Sequence, residues 1–355
     1  MKATTQLKYK ILALSMFLVL SVASLAGDQD QKKKYVEKNY KVSATTKLKI
    51  DNKFGKVEIN SWEKSEFDIK VEIIGKGRNE ERAQRILDAI EIDITESSAE
   101  IVFETEIESS KNKNEEGFEI NYTVYMPEKN RLEIKNSFGD VTMGNRANDL
   151  DIQVSYGSMK VGNVSGDAVI KVSFGSGSVG KINDGEATIK YSNFEIEEAN
   201  ILDLTQGFSD IEIGEVKDLE LESKYGKVEI EKAGKIDADS HFSGFEIEEL
   251  TGSLELDCSY LGDFRIDRLA KTFTLIDIDG KFGSYEIGLE EGLNADINAE
   301  FSFADLKVSS DVDATFNYRV KESNRSTYKG KIGKGDPNKM IRIDSSYGNL
   351  RLKMD

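Results

Sequence analysis

The chain of 355 residues has one cysteine, two prolines, one histidine and one tryptophan. A lone Cys258 excludes an intrachain disulfide. Its place in Leu254-Glu-Leu256-Asp-Cys258-Ser-Tyr260, on the parity of the apolar residues, marks a small core residue. On this count a lone His241 excludes a multi-histidine metal site and a His-dependent triad. Serine or lysine fills the equivalent slot in most other repeats, so His241 reads as exposed and replaceable. With two prolines against 29 glycines, turns fall to Gly, Asn, Asp and Ser. Basic residues are in the minority, 48 against 65 acidic, for a formal charge of −17. That balance argues against a nucleic-acid backbone or an anionic membrane surface as partner. Apolar residues make up 38%, which suits a thin repetitive core better than a thick one.

Long hydrophobic runs are absent except at the N-terminus. Lys2, Lys8 and Lys10 precede the apolar stretch Ile11 to Val22, and Ser24-Leu25-Ala26 offers small residues for cleavage after Ala26. Residues 1–26 read as a secretory signal. No cysteine follows the apolar stretch, so a lipoprotein anchor is not expected, and the mature chain holds no second candidate span. The expectation is an exported protein: periplasmic, envelope-associated or extracellular. Residues 27–40 are polar and lysine-bearing and read as a flexible leader.

What the sequence has in abundance is one phrase, a serine or lysine, an aromatic, then glycine and an alternating apolar run. It stands at Ser137-Phe138-Gly139-Asp140-Val141, Ser155-Tyr156-Gly157-Ser158-Met159 and Ser173-Phe174-Gly175. It recurs, with decay, at Tyr191, Phe208, Tyr225, Phe242, Tyr260, Phe282, Phe303 and Tyr347, with an outlying copy at Lys53-Phe54-Gly55-Lys56-Val57. From Phe138 to Tyr260 the aromatics are 18, 18, 17, 17, 17, 17 and 18 residues apart. Two short strands and two tight corners use that many residues. Each repeat is then one coil, stacked on the last at about 4.8 Å. Positions two and four before the aromatic (Val154, Ile152) and five after it (Val161) are apolar columns facing one side. On parity the aromatic joins them and points inward, and the glycine supplies a backbone conformation that a Cβ disfavours.

The fold expected is all-β: a parallel β-solenoid (β-helix) of about ten 17–18-residue two-strand coils behind an N-terminal β-rich cap with one short helix. Residues 41–130 form the cap section, with a helix over 79–90 started by Asn79 and facing inward through Ala83, Ile86, Leu87 and Ile90. Ser109 to Glu116 is a charged loop within it. Residues 131–310 carry the repeats. Residues 311–355 are a C-terminal loop, polar and Gly-rich over 323–338, and a capping coil built on Tyr347.

The array of Ser-(Phe/Tyr)-Gly-x-(Val/Leu) phrases resembles a bacterial β-strand-repeat family of unknown function labelled "putative adhesin". So does the closing phrase Ile341-Arg-Ile343-Asp-Ser-Ser-Tyr347-Gly348-Asn349-Leu350, and the resemblance covers roughly residues 41–355. It implies a secreted or envelope β-solenoid and brings no catalytic residues.

No pattern marks a catalytic site or a cofactor. Gly175-Ser-Gly177-Ser-Val179-Gly180 lacks the lysine and helix of a phosphate-binding loop. Hexapeptide-repeat acyltransferases mark three corners per coil, and this chain marks one. The non-random outward feature is a glutamate ladder: Glu195, Glu212, Glu229 and Glu246 four residues after the aromatic, with Glu197, Glu231 and Glu248 two further on. Lys160 and Arg265 flank it. A solvated face that deters edge-to-edge aggregation is the plain reading. The sharper one is a weak divalent-cation site or a docking patch for a basic partner. The function expected is non-catalytic: an adhesin-like binding or scaffold protein with a protein or glycan ligand. The competing readings are a carbohydrate-active β-helix enzyme, which would need a cleft with convergent acids near 261–340, and a periplasmic sensor or regulatory partner protein.

Overall fold

A computed structural model describes residues 30–108 and 117–355. The stretch 1–26 expected to be a signal, the first three residues of the expected leader and the expected charged loop 109–116 lie outside them. Among the described residues the chain is all-β with one helix, and it forms two compact units. The smaller comprises, of the described residues, 30–35, Glu72–Glu91, 106–108 and 117–119; the larger comprises Val36–Val71, Ile92–Thr105 and Ile120–Asp355.

In the smaller unit lies helix α1, Glu80–Asp88. The Asn79 side chain accepts the Arg82 N–H at 2.9 Å, and Glu80 and Glu81 occupy the positive end of the helix dipole. Ala83, Ile86 and Leu87 are buried. The helix lies close on its neighbouring strand because Gly75 and Gly77 stand beneath it. A Cβ at either would come within 2.6 Å of Ala83 backbone atoms.

In the larger unit equivalent segments of successive repeats pair in parallel. Leu150–Ser155 lies between Leu132–Ser137 and the strand from Ala168 to Ser173, with Ile152 opposite both Ile134 and Ile170. Ser176–Lys190 pairs with Asn193–Gly207, and that with Asp210 onward, so Ala187, Leu204 and Leu221 form one column. The apolar columns named from the sequence are buried: Ile152, Val154, Ile196, Leu204, Ile213 and Leu221 are each at most 1% exposed. Cys258 is buried too, its Sγ 3.5 Å from the Tyr285 hydroxyl.

Four placements differ from the sequence reading. Residues 30–40 of the expected leader do not hang free: Asp30–Lys41 is a strand, drawn in by ion pairs such as Lys33–Glu72 at 2.9 Å. The Phe54 phrase is no outlier, because Lys47–Lys53 pairs directly with Leu132–Ser137 and stacks Phe54 on Phe138. The Tyr347 phrase does not close the end. Met340–Ser346 inserts between Leu275–Lys281 and Ala295–Ser302, leaving Phe303 outermost in the stack. Nor is 323–338 a loop throughout: Ala314–Lys321 and Arg325–Ile332 form an antiparallel hairpin laid on Ala295–Ser302.

The aromatics themselves differ most. All twelve, from Phe54 to Tyr347, have positive φ between 52° and 63° and are 38–58% exposed. The parity argument fails at this residue because a left-handed conformation breaks the strand's alternation and turns the side chain out. The glycine after it serves closeness, not a special φ. A Cβ on Gly175 would lie 1.9 Å from the carbonyl oxygen of Gly157. In repeats that carry serine there, the hydroxyl takes over a bond: Ser192 Oγ accepts the Gly175 N–H at 3.2 Å.

Candidate functional site

The two outward surfaces beside the aromatic corner carry the chemistry. After the corner, strand alternation places Ile196, Ile213 and Ile230 inward and Glu195, Glu212 and Glu229 outward. Glu195 pairs across to Glu212, Ser178 to Glu195, Lys160 to Ser178, and Glu246 to Arg265. All seven glutamates singled out from the sequence, Glu195, Glu197, Glu212, Glu229, Glu231, Glu246 and Glu248, line a single groove of about 360 Å³. Arg265 and Asp267 close one end of it.

Cations crowd that end. Lys227 binds Glu229 and also Glu246 at 3.0 Å, and the two hydrogen bonds hold its ammonium pKa above the usual lysine value. Arg265 bonds Glu246 at 3.1 Å and Asp267 at 2.7 Å. Among the described residues no cation pairs with Glu195, Glu197, Glu212, Glu231 or Glu248. Nor, among them, is any group of three or more His, Cys, Asp and Glu arranged to hold a metal ion. The groove therefore offers unpaired negative charge on a shallow apolar floor.

Three features escaped the sequence reading. The first is the aromatic ladder. Its rings stack in an unbroken series at 4.7–5.1 Å, with planes within 10° of parallel. Each ring's left-handed backbone costs about 1–2 kcal/mol. Burying half a ring recovers about 2 kcal/mol and stacking about 1 more, so the ladder stabilises the corner on balance. The second is another acidic column, three residues before the aromatic: Glu222, Asp239, Asp257, Asp279, Asp344 and Glu300 in spatial order, with Asp257 opposite Asp279 and Asp279 opposite Asp344. Aligning the repeats on the aromatic could have exposed it. Burial first, then the charges of Asp279 and Glu300, raise the Asp344 pKa.

The third is a side-chain chain around His241. Its Nδ1 lies 2.6 Å from Ser259 Oγ and its Nε2 2.7 Å from Asp239 Oδ1. One histidine is enough for such a contact, so the exclusion of a triad from histidine count fails, and His241 is half-buried and partnered. The arrangement lacks the rest of a hydrolase. The Asp239 side chain is 57% exposed, and the flanking backbone N–H groups are committed to strand pairing.

Two grooves lie in the 261–355 region where a carbohydrate-active enzyme would need its cleft. One, of about 450 Å³, is lined by Glu286 with Arg265, Lys307 and Arg351. The other, of about 420 Å³, includes Glu290 and Asp313. Glycoside hydrolysis needs a carboxyl with a raised pKa as proton donor. Here the hydrogen bond from Lys353 holds Glu286 below the usual glutamate value, and the Lys271 backbone N–H with Arg268 does the same for Glu290. Burial pushes the Cys258 thiol up to about 11, so it is a poor nucleophile. No helix among the described residues is long and apolar enough to cross a membrane.

Solved structures similar to the chain include a "putative cell adhesion protein" from Clostridium sporogenes (13% identity, 92% of this chain and 100% of that one, TM-score 0.19). They also include a "putative adhesin" from Bacteroides fragilis (13%, 90% and 97%, TM-score 0.34) and a "putative lipid binding protein" from Parabacteroides distasonis (10%, 92% and 98%, TM-score 0.35). No curated protein matches. The Toastrack DUF4097 family matches residues 45–353, and the chain belongs to that family.

Proposed function

We propose that this is an exported, non-catalytic binding or scaffold protein of adhesin type, built on a parallel solenoid of about ten two-strand coils. The observation that carries the reading is the glutamate groove, which holds five carboxylates with no cationic partner among the described residues. A basic segment of a partner protein suits it better than a metal ion. Regular strand pairing spreads the carboxylates along columns at the interstrand spacing, whereas calcium asks for six to eight oxygens gathered at about 2.4 Å. A scaffold of this kind presents columns of like side chains over a long face, so weak contacts add along it.

The test is calorimetric titration with a lysine-rich peptide, beside thermal melts with and without calcium. Binding that weakens with salt and falls at least threefold in the double variant Glu212→Gln, Glu229→Gln is the result expected, with no calcium-dependent shift in Tm. Unchanged binding in that variant would remove the groove from the function.

A further inference from the structure

Half of every ring in the aromatic ladder faces solvent. Twelve such rings expose on the order of 1,000 Å² of largely apolar surface, well above the few hundred Å² usual for a patch on a soluble monomer. Stacking explains the buried halves. It does not explain the order of ring types. In spatial order the ladder runs Phe54, then Phe138, Tyr156, Phe174, Tyr191, Phe208, Tyr225, Phe242, Tyr260, Phe282, Tyr347, Phe303. From Phe138 to Phe303 phenylalanine and tyrosine alternate without a break. The chain order does not alternate, because Phe282 is followed by Phe303; the insertion of the Tyr347 segment between them restores the pattern. The alternation therefore belongs to the assembled surface.

We propose that this ladder is a self-association surface, on which a second copy of this chain docks antiparallel about a two-fold axis between Phe208 and Tyr225. Reversing the series and laying it on itself puts Phe opposite Tyr at every rung except the two Phe54–Phe303 ends. A tyrosine is longer than a phenylalanine by its hydroxyl. Phe against Tyr keeps the gap constant along the seam, where Phe–Phe and Tyr–Tyr rungs would leave it alternately hollow and tight. The seam also matches in period, because both faces repeat at the interstrand spacing.

The charges beside the ladder agree. Three residues before the aromatic, the column begins at Asp51, is then neutral or basic through Lys135, Gln153, Lys171, Thr188 and Thr205, and is acidic throughout its second half. The two-fold brings Lys171 to Asp257 of the second copy and Lys135 to its Asp344. Two residues after the aromatic it brings Lys56 to Asp305 and Asp210 to Lys227. The single like-charged rung in these columns, Asp51 with Glu300, has Lys135 at 3.7 Å from Asp51. The like-charged glutamate rungs lie four residues from the ring, about 13 Å off the seam and beyond a Debye length at physiological salt. A glycan is a poorer occupant because the ring faces it would stack on already cover one another. An anionic membrane would meet the acidic column. Stable interfaces bury about 800 Å² per partner, which the ladder can supply.

Sedimentation equilibrium of the chain over a concentration series tests this. The expected result is a monomer–dimer equilibrium. Lys171→Glu alone or Asp257→Lys alone should weaken it about tenfold, since each change acts twice across the two-fold, and the double variant should restore it. Neither residue is buried, so these variants keep the fold; circular dichroism checks that. A monomer at every concentration overturns the proposal, as does a dimer indifferent to the charge swap. A monomer that binds polylysine or a soluble glucan, with binding lost in Phe208→Ala, overturns it in favour of another occupant.

Discussion

At Gly175 a Cβ would sit 1.9 Å from a backbone oxygen of the preceding repeat, while at Gly144 it would meet nothing within 4 Å. Both glycines lie in repeats, yet only the first is fixed by packing. Gly175→Ala should cost about 2–4 kcal/mol, because the atom in the way is backbone and cannot rotate aside. Gly144→Ala should be within about 0.5 kcal/mol of neutral. Denaturant unfolding of the two variants measures the contrast, and equal effects would contradict the close-stacking account. The aromatic beside this glycine could be read from the sequence as a corner residue. Its outward direction could not, since it depends on a φ that most L residues avoid and that neighbouring rings make favourable.

The columns are the next scale, where stacking turns single charges into ladders. Asp344 stands between Asp279 and Glu300, and burial with those two charges raises its pKa above the ordinary value of 3.8. A carboxyl with a raised pKa binds its proton more tightly folded than unfolded. Stability is therefore fullest below the unfolded value and declines as pH rises through the folded one. Asp344→Asn should stabilise the fold at pH 7 by a few tenths of a kcal/mol, the side chain being exposed and screened, and should do nothing near pH 3. Melting curves at the two pH values report it. Glu133 has the opposite sign: burial raises its pKa, but hydrogen bonds from Lys47 and Lys49 outweigh that and lower it. Glu133 stands in a different column, five residues before its aromatic, and the contrast shows that the sign of a carboxylate's shift follows the charges beside it.

Across the larger unit most strands have a neighbour on both sides, and the exceptions lie at its ends. Ala314–Lys321 pairs only with Arg325–Ile332 among the described residues, and its side chains are mostly exposed. In a stacked array, stability comes from nearest-neighbour interfaces, so a strand with one such interface opens first. Amide hydrogen exchange should be fastest in Ala314–Lys321 and slowest in the strands around 170–250. Uniform protection would mean that the hairpin is held by something beyond its single pairing. Arg319 and Lys321 on this edge suit an exposed strand that must not template aggregation.

The sequence by itself determined the repeat, its parity and its buried columns. Period and alternation are local properties of a β chain, and Ile152, Leu204 and Ile213 follow from them without knowledge of any contact. It also determined that the seven glutamates share a face, because all are counted from one corner. The tertiary structure decided where the rings point, because a left-handed residue reverses parity, and it decided that Tyr347 lies between Phe282 and Phe303. Strand insertion is set by which open edge a late segment can pair with, and no residue count along the chain records that. The meeting of His241 with Ser259 was likewise decided in space, by strands of neighbouring repeats lying side by side, whereas Asp239 shares the face of His241 by alternation along one strand.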